Sequence, residues 1–411
     1  MTMPDADPFF RIPDTDRTWN ACIGPQGGDE NYVDGYIDAA LLLATTVVDR
    51  EMLIARDTLV LPILYTARHG IELAFKFAIK NLHEAGAIAM LHPINHDIHS
   101  HWEFLRRHKP ADKMLDDLLV ELNPFVESLS GIDRDGQQLR YSVDQEGKLS
   151  LKDRPLANIA VIRDSLVVLQ ELLLKVRHRV LDLARDFATG THTADCSRRD
   201  LMSIALMLPA RDTWASCQTL LDTKNLIKQQ FSLSSNKLGA AIDVIQANRE
   251  LGGLLGIEFA LKHLTDEHAG FVFKRWLILH PPKPLGSGAD IGLDYSGSRD
   301  LEAAQLDSSA RVEAYEAVIK ELEPEEVSDL ETIFYLGRDR DYPEYYEQRL
   351  EGTMKQHRQA LSSRASVHHL FSKMNLLDEV VKGVRRLGRA RLAAELLKMR
   401  TELLAQSPRI D

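Results

Sequence analysis

Apolar residues recur along this chain at helical spacing over most of its length. From Asn31 onward, Tyr32, Tyr36, Ala39, Ala40 and Leu43 fall three or four residues apart, as the buried face of an amphipathic helix does. The same period runs through Leu64, Ala67, Ile71, Phe75, Ala78 and Leu82, which predicts a second helix over Leu59–Leu82 with Pro62 near its start. A break at Gly86–Asn95 precedes a third helix from His96-Asp97, and Leu115, Leu118, Leu119 and Leu122 mark a fourth. The period then shortens to two. Leu139, Tyr141 and Val143 alternate, Asp144-Gln-Glu-Gly147 turns, and Leu149 and Leu151 alternate again, which reads as a β-hairpin. Ile159, Ile162, Leu166, Leu169, Leu173, Val176, Val180 and Leu183 follow at strict 3-4 steps. An unbroken heptad seam of that length belongs to a long helix packed lengthwise against others.

Thr189-Gly-Thr-His-Thr193 stops this helix and marks a linker. Helical patterns resume over Arg199–Leu208, Ala210–Phe231, Asn236–Leu255 and Thr265–Leu279, and Pro281-Pro-Lys-Pro-Leu-Gly-Ser-Gly288 opens a long loop reaching residue 300. Further helices follow from Leu301, the last over Glu379–Leu404. The expected fold class is therefore mostly α. A loosely ordered lead-in at 1–30 precedes a helical bundle over 31–190 with a small β-hairpin at 139–151, and a second all-helical domain spans 200–411 with its loop at 281–300.

Composition narrows the function classes more than it selects one. The chain has 411 residues, 44% of them hydrophobic and 27% charged, an ordinary globular balance for about two domains. Its net charge of −11 opposes general attraction to nucleic acid, so any such contact needs a local basic patch. No apolar run approaches the ~20 residues that span a bilayer, and the acidic start lacks the features of a signal peptide. Cys22, Cys196 and Cys217 are widely spaced and form neither a disulfide framework nor a metal pair. A cytoplasmic protein without membrane contact is expected. Gly-rich phosphate loops, dinucleotide fingerprints, GxSxG elbows and HExxH motifs are all missing, so no cofactor is expected. His92, His96, His99 and His101 are dense but lack metal-ligand spacing, so no metal is expected either.

The segment Leu61-Pro-Ile-Leu-Tyr-Thr-Ala-Arg-His-Gly-Ile-Glu-Leu-Ala-Phe-Lys-Phe-Ala-Ile-Lys80, followed by His96-Asp-Ile-His-Ser-His-Trp102, resembles a HEPN-like helical domain. In that family a helix reading Arg-His-x-Ile-Glu-Leu-x-x-Lys precedes a His-Asp-Ile/Leu helix start. The Arg140-Tyr-Ser hairpin and the long closing helix suit the same group. The resemblance covers about residues 31–187 and implies a small helical bundle. Many members are metal-independent ribonucleases of bacterial defence and stress, with an Arg and a following His separated by roughly four to six intervening residues, usually on the closing helix. Arg163-Asp164 starts that motif here but no His follows it at the right distance. Arg185 and His192 have the spacing, although Gly190 suggests that His192 has left the helix, and outside the resembling region Arg364 and His369 have it too. Such a pair would hold a phosphate with the guanidinium and move a proton with the imidazole. Two pairs facing across a homodimer would serve both ends of the reaction.

Other candidates are carried by spacing alone. Arg68, Glu72 and Lys76 stand at i, i+4 and i+8 on one helix face, either as an ion-pair ladder or as a polar groove for a nucleotide or partner. His96 caps or braces the third helix. Lys382, Arg385, Arg386, Arg389, Arg391, Lys398 and Arg400 make the terminal helix basic, either to grip phosphates or as the solvated face of an amphipathic helix. The expected function is RNA binding or metal-independent RNA cleavage in phage defence or stress. The alternatives are a non-catalytic scaffold subunit with a protein partner in a defence or toxin–antitoxin complex, and a DNA-binding regulator using the helical hairpin at 210–258.

Overall fold

The computed structural model of the chain describes residues 9–10, 12, 15, 17–143, 146–216, 218–281, 301–359 and 363–406. The chain divides into two compact units, Met1–Ala188 and Thr189–Asp411. Both are helical, and among the described residues no β-strand forms.

Unit 1 contains α1 (Asp29–Asp49), α2 (Arg56–Glu84), α3 (Ile98–His108), α4 (Lys113–Ile132) and α5 (Ile159–Ala188). The heptad residues of α5 are buried except Ile162, which is partly covered. They pack against α1, α2 and α4. Helix α2 is the centre of the unit, in contact with α1, α3 and α5, and Ile63, Ala67, Ile71, Phe75, Ala78 and Leu82 are at most 1% exposed. It begins about a turn earlier than its apolar pattern suggests, which leaves Pro62 inside the helix. Helix α1 comes close because α2 offers Gly70 to it: a Cβ there would stand 3.3 Å from the Ile37 amide nitrogen.

Carboxylates start α3 and α4. Asp97 accepts from the His99 and Ser100 amides at 3.0 and 3.1 Å, and Asp112 accepts from Leu115 at 2.7 Å. Asp112 is buried and is held a second time by α5. The Arg179 guanidinium donates to both of its oxygens at 3.0 and 2.6 Å, and to Asp186 at 3.2 Å. That bidentate contact fixes the start of α4 against the closing helix. The hairpin expected at 139–151 reduces to a single antiparallel bridge, Val143 to Leu149, supported by Ser150 N–H donating to Ser142 O at 2.9 Å. A two-residue period is too short a signal to build strands without a neighbouring sheet to pair with. Asp144 and Gln145 of the expected turn lie outside the described residues.

Unit 2 runs α6 (Arg198–Met207), α7 (Leu220–Gln230), α8 (Ser235–Ala247), α9 (Arg249–Leu254), α10 (Asp266–Leu279), α11 (Leu301–Glu321), α12 (Pro324–Asp339), α13 (Tyr346–Gln359), α14 (Ser363–Phe371), α15 (Leu376–Arg386) and α16 (Ala390–Gln406). One core joins α6 to α9, and a larger one joins α10 to α16. Three expected long helices are broken. Ala210–Phe231 starts as a short 3-10 turn at Arg211–Thr213, braced by Trp214 Nε1 donating to Pro209 O at 2.9 Å, and becomes α-helical only at Leu220. Asn248 leaves the helical conformation and caps α9 by accepting from the Leu251 amide at 3.0 Å. Gly388, at φ +71°, separates α15 from α16 with a backbone conformation that a side chain disfavours. The expected loop over 281–300 lies outside the described residues except Pro281.

Candidate functional site

Five polar side chains follow one another along α2 at three- and four-residue steps: Tyr65, His69, Glu72, Lys76 and Lys80. They share one face of the helix. Beneath them Arg68 is only 1% exposed, and a buried cation must be fully hydrogen-bonded to be tolerated. Its Nε donates to Asp133 O at 2.7 Å, Nη2 donates to Arg134 O at 2.9 Å and to His96 O, and Nη1 donates to Glu72 at 3.1 Å. Arg68 thereby gathers three distant stretches of chain: α2, the segment before α3, and the turn after α4. That turn is shaped for the purpose. Gly136 sits at φ +79°, and a Cβ on it would stand 3.3 Å from Arg68 Nη1. Asp133 closes the turn by accepting from the Gln138 and Leu139 amides at 3.1 and 3.3 Å. Arg134 donates to Asp97 at 2.9 Å, linking the same turn to the cap of α3.

Glu72 divides the site between its two oxygens. Oε2 receives Arg68 from below at 3.1 Å and has His69 Nδ1 at 3.9 Å; Oε1 receives Lys76 Nζ at 2.6 Å and His96 Nδ1 at 3.0 Å. Burial works against its charge, but the contacts from His69, Lys76 and His96 outweigh that cost and hold the carboxyl well below the ordinary carboxylate range. An ionised carboxylate only accepts, so the His96 nitrogen facing it carries the proton. The His96 side chain is nevertheless 66% exposed, with Nε2 on the ring's far side from Glu72. His69 is turned by aromatic contacts instead: edge-on to Tyr36 at 4.5 Å between ring centroids, and stacked on Tyr65 at 6.0 Å. Two imidazoles thus converge on one carboxylate, with an ammonium beside them.

The segment carrying His96 is itself anchored by a buried imidazole. His101 is 2% exposed, its Nε2 lies 3.2 Å from Asn95 O, and burial pushes its pKa down to about 4. A folded pKa below the ordinary value of 6.5 means that the unfolded chain takes up the proton first as pH falls. Stability therefore declines between pH 6.5 and pH 4, by about 3 kcal/mol in all. Urea unfolding across that window checks it, and His101→Gln is expected to flatten the slope. The Glu72 contribution is separate in pH, being present above its ordinary value of 4.5 and lost in stronger acid.

The remaining candidates are placed differently. Arg185 sits in the last turn of α5, 3.2 Å from Asp182, whereas His192 lies beyond the helix end and beyond Gly190, at φ +74°. Arg364 and His369 share α14 but turn to different helices: Arg364 pairs with Glu316 of α11, and His369 Nε2 lies 3.1 Å from Tyr335 of α12. On the terminal helices Arg386 donates to Glu250 at 2.7 Å, and Arg389 pairs with Asp266 and Glu258. Those cations neutralise carboxylates of their own unit, while Arg385 is exposed. In the hairpin α7–α8 the turn passes through Ser232 at φ +55°, Lys237 pairs with Asp195 at 2.5 Å, and Lys224 lies over Trp214 at 5.3 Å. The structure brings together only Arg68, Glu72, Lys76 and His96 of the expected set, and adds His69, Tyr36, Tyr65 and Arg140 around them. His69 was visible in the sequence as the residue next to Arg68, three before Glu72 and so on its face; Arg140 stood out only within the Arg140-Tyr-Ser stretch, with nothing in its spacing to place it beside Tyr65.

Among the described residues no group of three or more His, Cys, Asp or Glu side chains is arranged to hold a metal ion, and no helix is long and apolar enough to cross a membrane. Compared with known proteins, the chain matches no family model, no curated protein and no solved structure.

Proposed function

We propose that unit 1 is a HEPN-like RNA-binding bundle whose Glu72 site cleaves single-stranded RNA without a metal ion. The observation that carries this reading is the 3.0 Å contact between Glu72 and Nδ1 of the exposed His96 ring. A buried carboxylate that fixes one nitrogen of a solvent-facing imidazole leaves the other nitrogen aimed outward to exchange a proton. Its resemblance to HEPN-like sequences points the same way, and the reaction moves from the Arg–His pairs to this carboxylate-centred cluster.

The step asks little of the protein beyond positioning. Neutral His96 takes the proton of a ribose 2′-hydroxyl at Nε2. The 2′-oxygen bonds to the adjacent phosphorus as the bond from phosphorus to the 5′-oxygen breaks. Protonated His69 supplies the proton to that departing oxygen, and the Lys76 ammonium offsets the charge gathering on the phosphate. The products are a 2′,3′-cyclic phosphate and a 5′-hydroxyl. The test is incubation of the purified full chain with a labelled single-stranded RNA in EDTA and, separately, in magnesium. Equal cleavage in both is expected; intact RNA in both refutes the reaction.

The scaffold reading has one observation of its own. Arg185, Arg364, Arg386 and Arg389 are all engaged by acids of their own unit, so neither expected Arg–His pair offers an unengaged guanidinium to a phosphate. It predicts binding without turnover, which the same incubation distinguishes.

A further inference from the structure

Arg140 differs from the other arginines around the site. Arg68 is consumed by three carbonyls and Glu72, and Arg134 by Asp97. Arg140 is exposed, and among the described residues no carboxylate pairs with it. Its guanidinium is nonetheless held. Nε donates to Gly136 O at 2.6 Å, on the glycine against which Arg68 packs, and the group lies 5.6 Å from the Tyr65 ring centroid and 5.4 Å from that of Tyr141. An arginine fixed through Nε and flanked by two rings presents its two terminal nitrogens together. That fork is the shape that recognises a phosphate through two parallel hydrogen bonds. Its place relative to the proton carriers is set by one ring, since Tyr65 stacks on His69 with an interplanar angle of 3°.

We propose that Arg140 is the phosphate anchor of this site, holding the phosphodiester of a single-stranded nucleotide adjacent to the one that meets His69 and His96. Tyr141, 55% exposed, gives the base of that nucleotide a ring to stack on. Unpaired bases accept such a platform and duplex bases do not, so the substrate is single-stranded. The choice of RNA rests on the ribonuclease reading above; the anchor itself is a claim about binding.

The test measures binding apart from cleavage. Fluorescence anisotropy follows the full chain carrying His96→Ala, in EDTA, against a fluorescein-labelled single-stranded RNA, a single-stranded DNA of the same sequence and the matched RNA duplex. Adding Arg140→Ala is expected to weaken single-stranded RNA binding about tenfold and to lower the slope of log affinity against log salt by about 0.7. Arg140→Lys restores the slope but only part of the affinity, because an ammonium lacks the fork. Melting temperature should stay unchanged in both. Undiminished affinity in Arg140→Ala overturns the proposal. So does an equal loss in Arg140→Ala and Arg140→Lys with a lowered melting temperature, which assigns Arg140 to holding its loop, and so does tighter binding of the duplex. RNA held through Arg140 but never cut by the parent chain leaves this inference standing and removes the ribonuclease reading. RNA that is cut with Arg140→Ala binding unchanged does the reverse.

Discussion

Replacing His96 by alanine is expected to slow RNA cleavage by at least about 100-fold, the lower end of what a positioned proton carrier contributes, with little change in stability. The two halves follow from one geometry. The His96 ring is mostly in solvent and its side chain makes one hydrogen bond, to Glu72, so its removal exposes little and empties no cavity. The fold depends on its backbone instead: His96 O accepts from Arg68 Nη2, and alanine keeps that carbonyl. Glu72→Gln separates orientation from charge. An amide can still face Nδ1, but it no longer favours an imidazolium beside it, so cleavage falls while affinity for RNA changes less. Arg68→Met makes the opposite case. It leaves Glu72 Oε2 and three carbonyls without their donor, and a broken buried pair costs about 3–5 kcal/mol. Single-turnover cleavage rates with matched melting curves separate these variants. A His96→Ala chain that cuts at the parental rate removes His96 from the reaction.

A stability effect of similar size is expected in unit 2, where α12 and α15 cross with their backbones in contact. A Cβ at Gly337 would stand 1.9 Å from Glu379 O, and one at Gly383 would stand 2.2 Å from Ile333 O. Neither obstacle is a side-chain tip that can turn aside; both are backbone carbonyls of the facing helix. Gly337→Ala or Gly383→Ala must therefore spread the pair and loosen the contacts of Ile333, Val380 and Val384, all fully buried. A cost of at least about 3 kcal/mol follows, at the upper end of overpacking effects, with the melting transition lowered by roughly 6–12 °C for a unit of this size. Gly352→Ala is the control. It lies within α13 with nothing within 4 Å of the added carbon, so helix propensity alone acts and stability rises by up to about 1 kcal/mol. Differential scanning calorimetry of the three variants decides it. An unshifted transition in Gly383→Ala contradicts the close crossing.

The two glycines also mark the limit of what could be read in advance. The seam of α5 was legible because eight residues repeat one rule, and a long helix has few other ways to bury such a stripe. The breaks at Asn248 and Gly388 were not, because a continuous apolar period passes through both and the deciding conformation belongs to one residue. Glycines 337 and 383 look like weak points of helices until the partner helix is known. Within the site, the ladder of Arg68, Glu72 and Lys76 followed from their spacing, which already places them on one face. What spacing cannot state is which way that face points. Arg68 turns inward to the Asp133 turn and Lys76 outward, so the ladder is half core and half surface. The pairing of Glu72 with His96 joins residues 24 apart across a loop, and Tyr65 with Arg140 joins residues on opposite sides of two helices. The Arg364–His369 spacing is silent for the same reason. A short interval along one helix carries no record of Glu316 and Tyr335, the neighbours that draw the two side chains apart.

Mass spectrometry of the RNA ends left after incubation with the full chain in EDTA goes straight to the central claim, that imidazoles set by the Glu72 carboxylate drive attack by the neighbouring 2′-oxygen. Fragments ending in 2′,3′-cyclic phosphate and beginning with 5′-hydroxyl, absent with His96→Ala, are the expected result. Fragments with 5′-phosphate ends, cleavage of a 2′-deoxy strand at the same rate, or RNA left whole would contradict it.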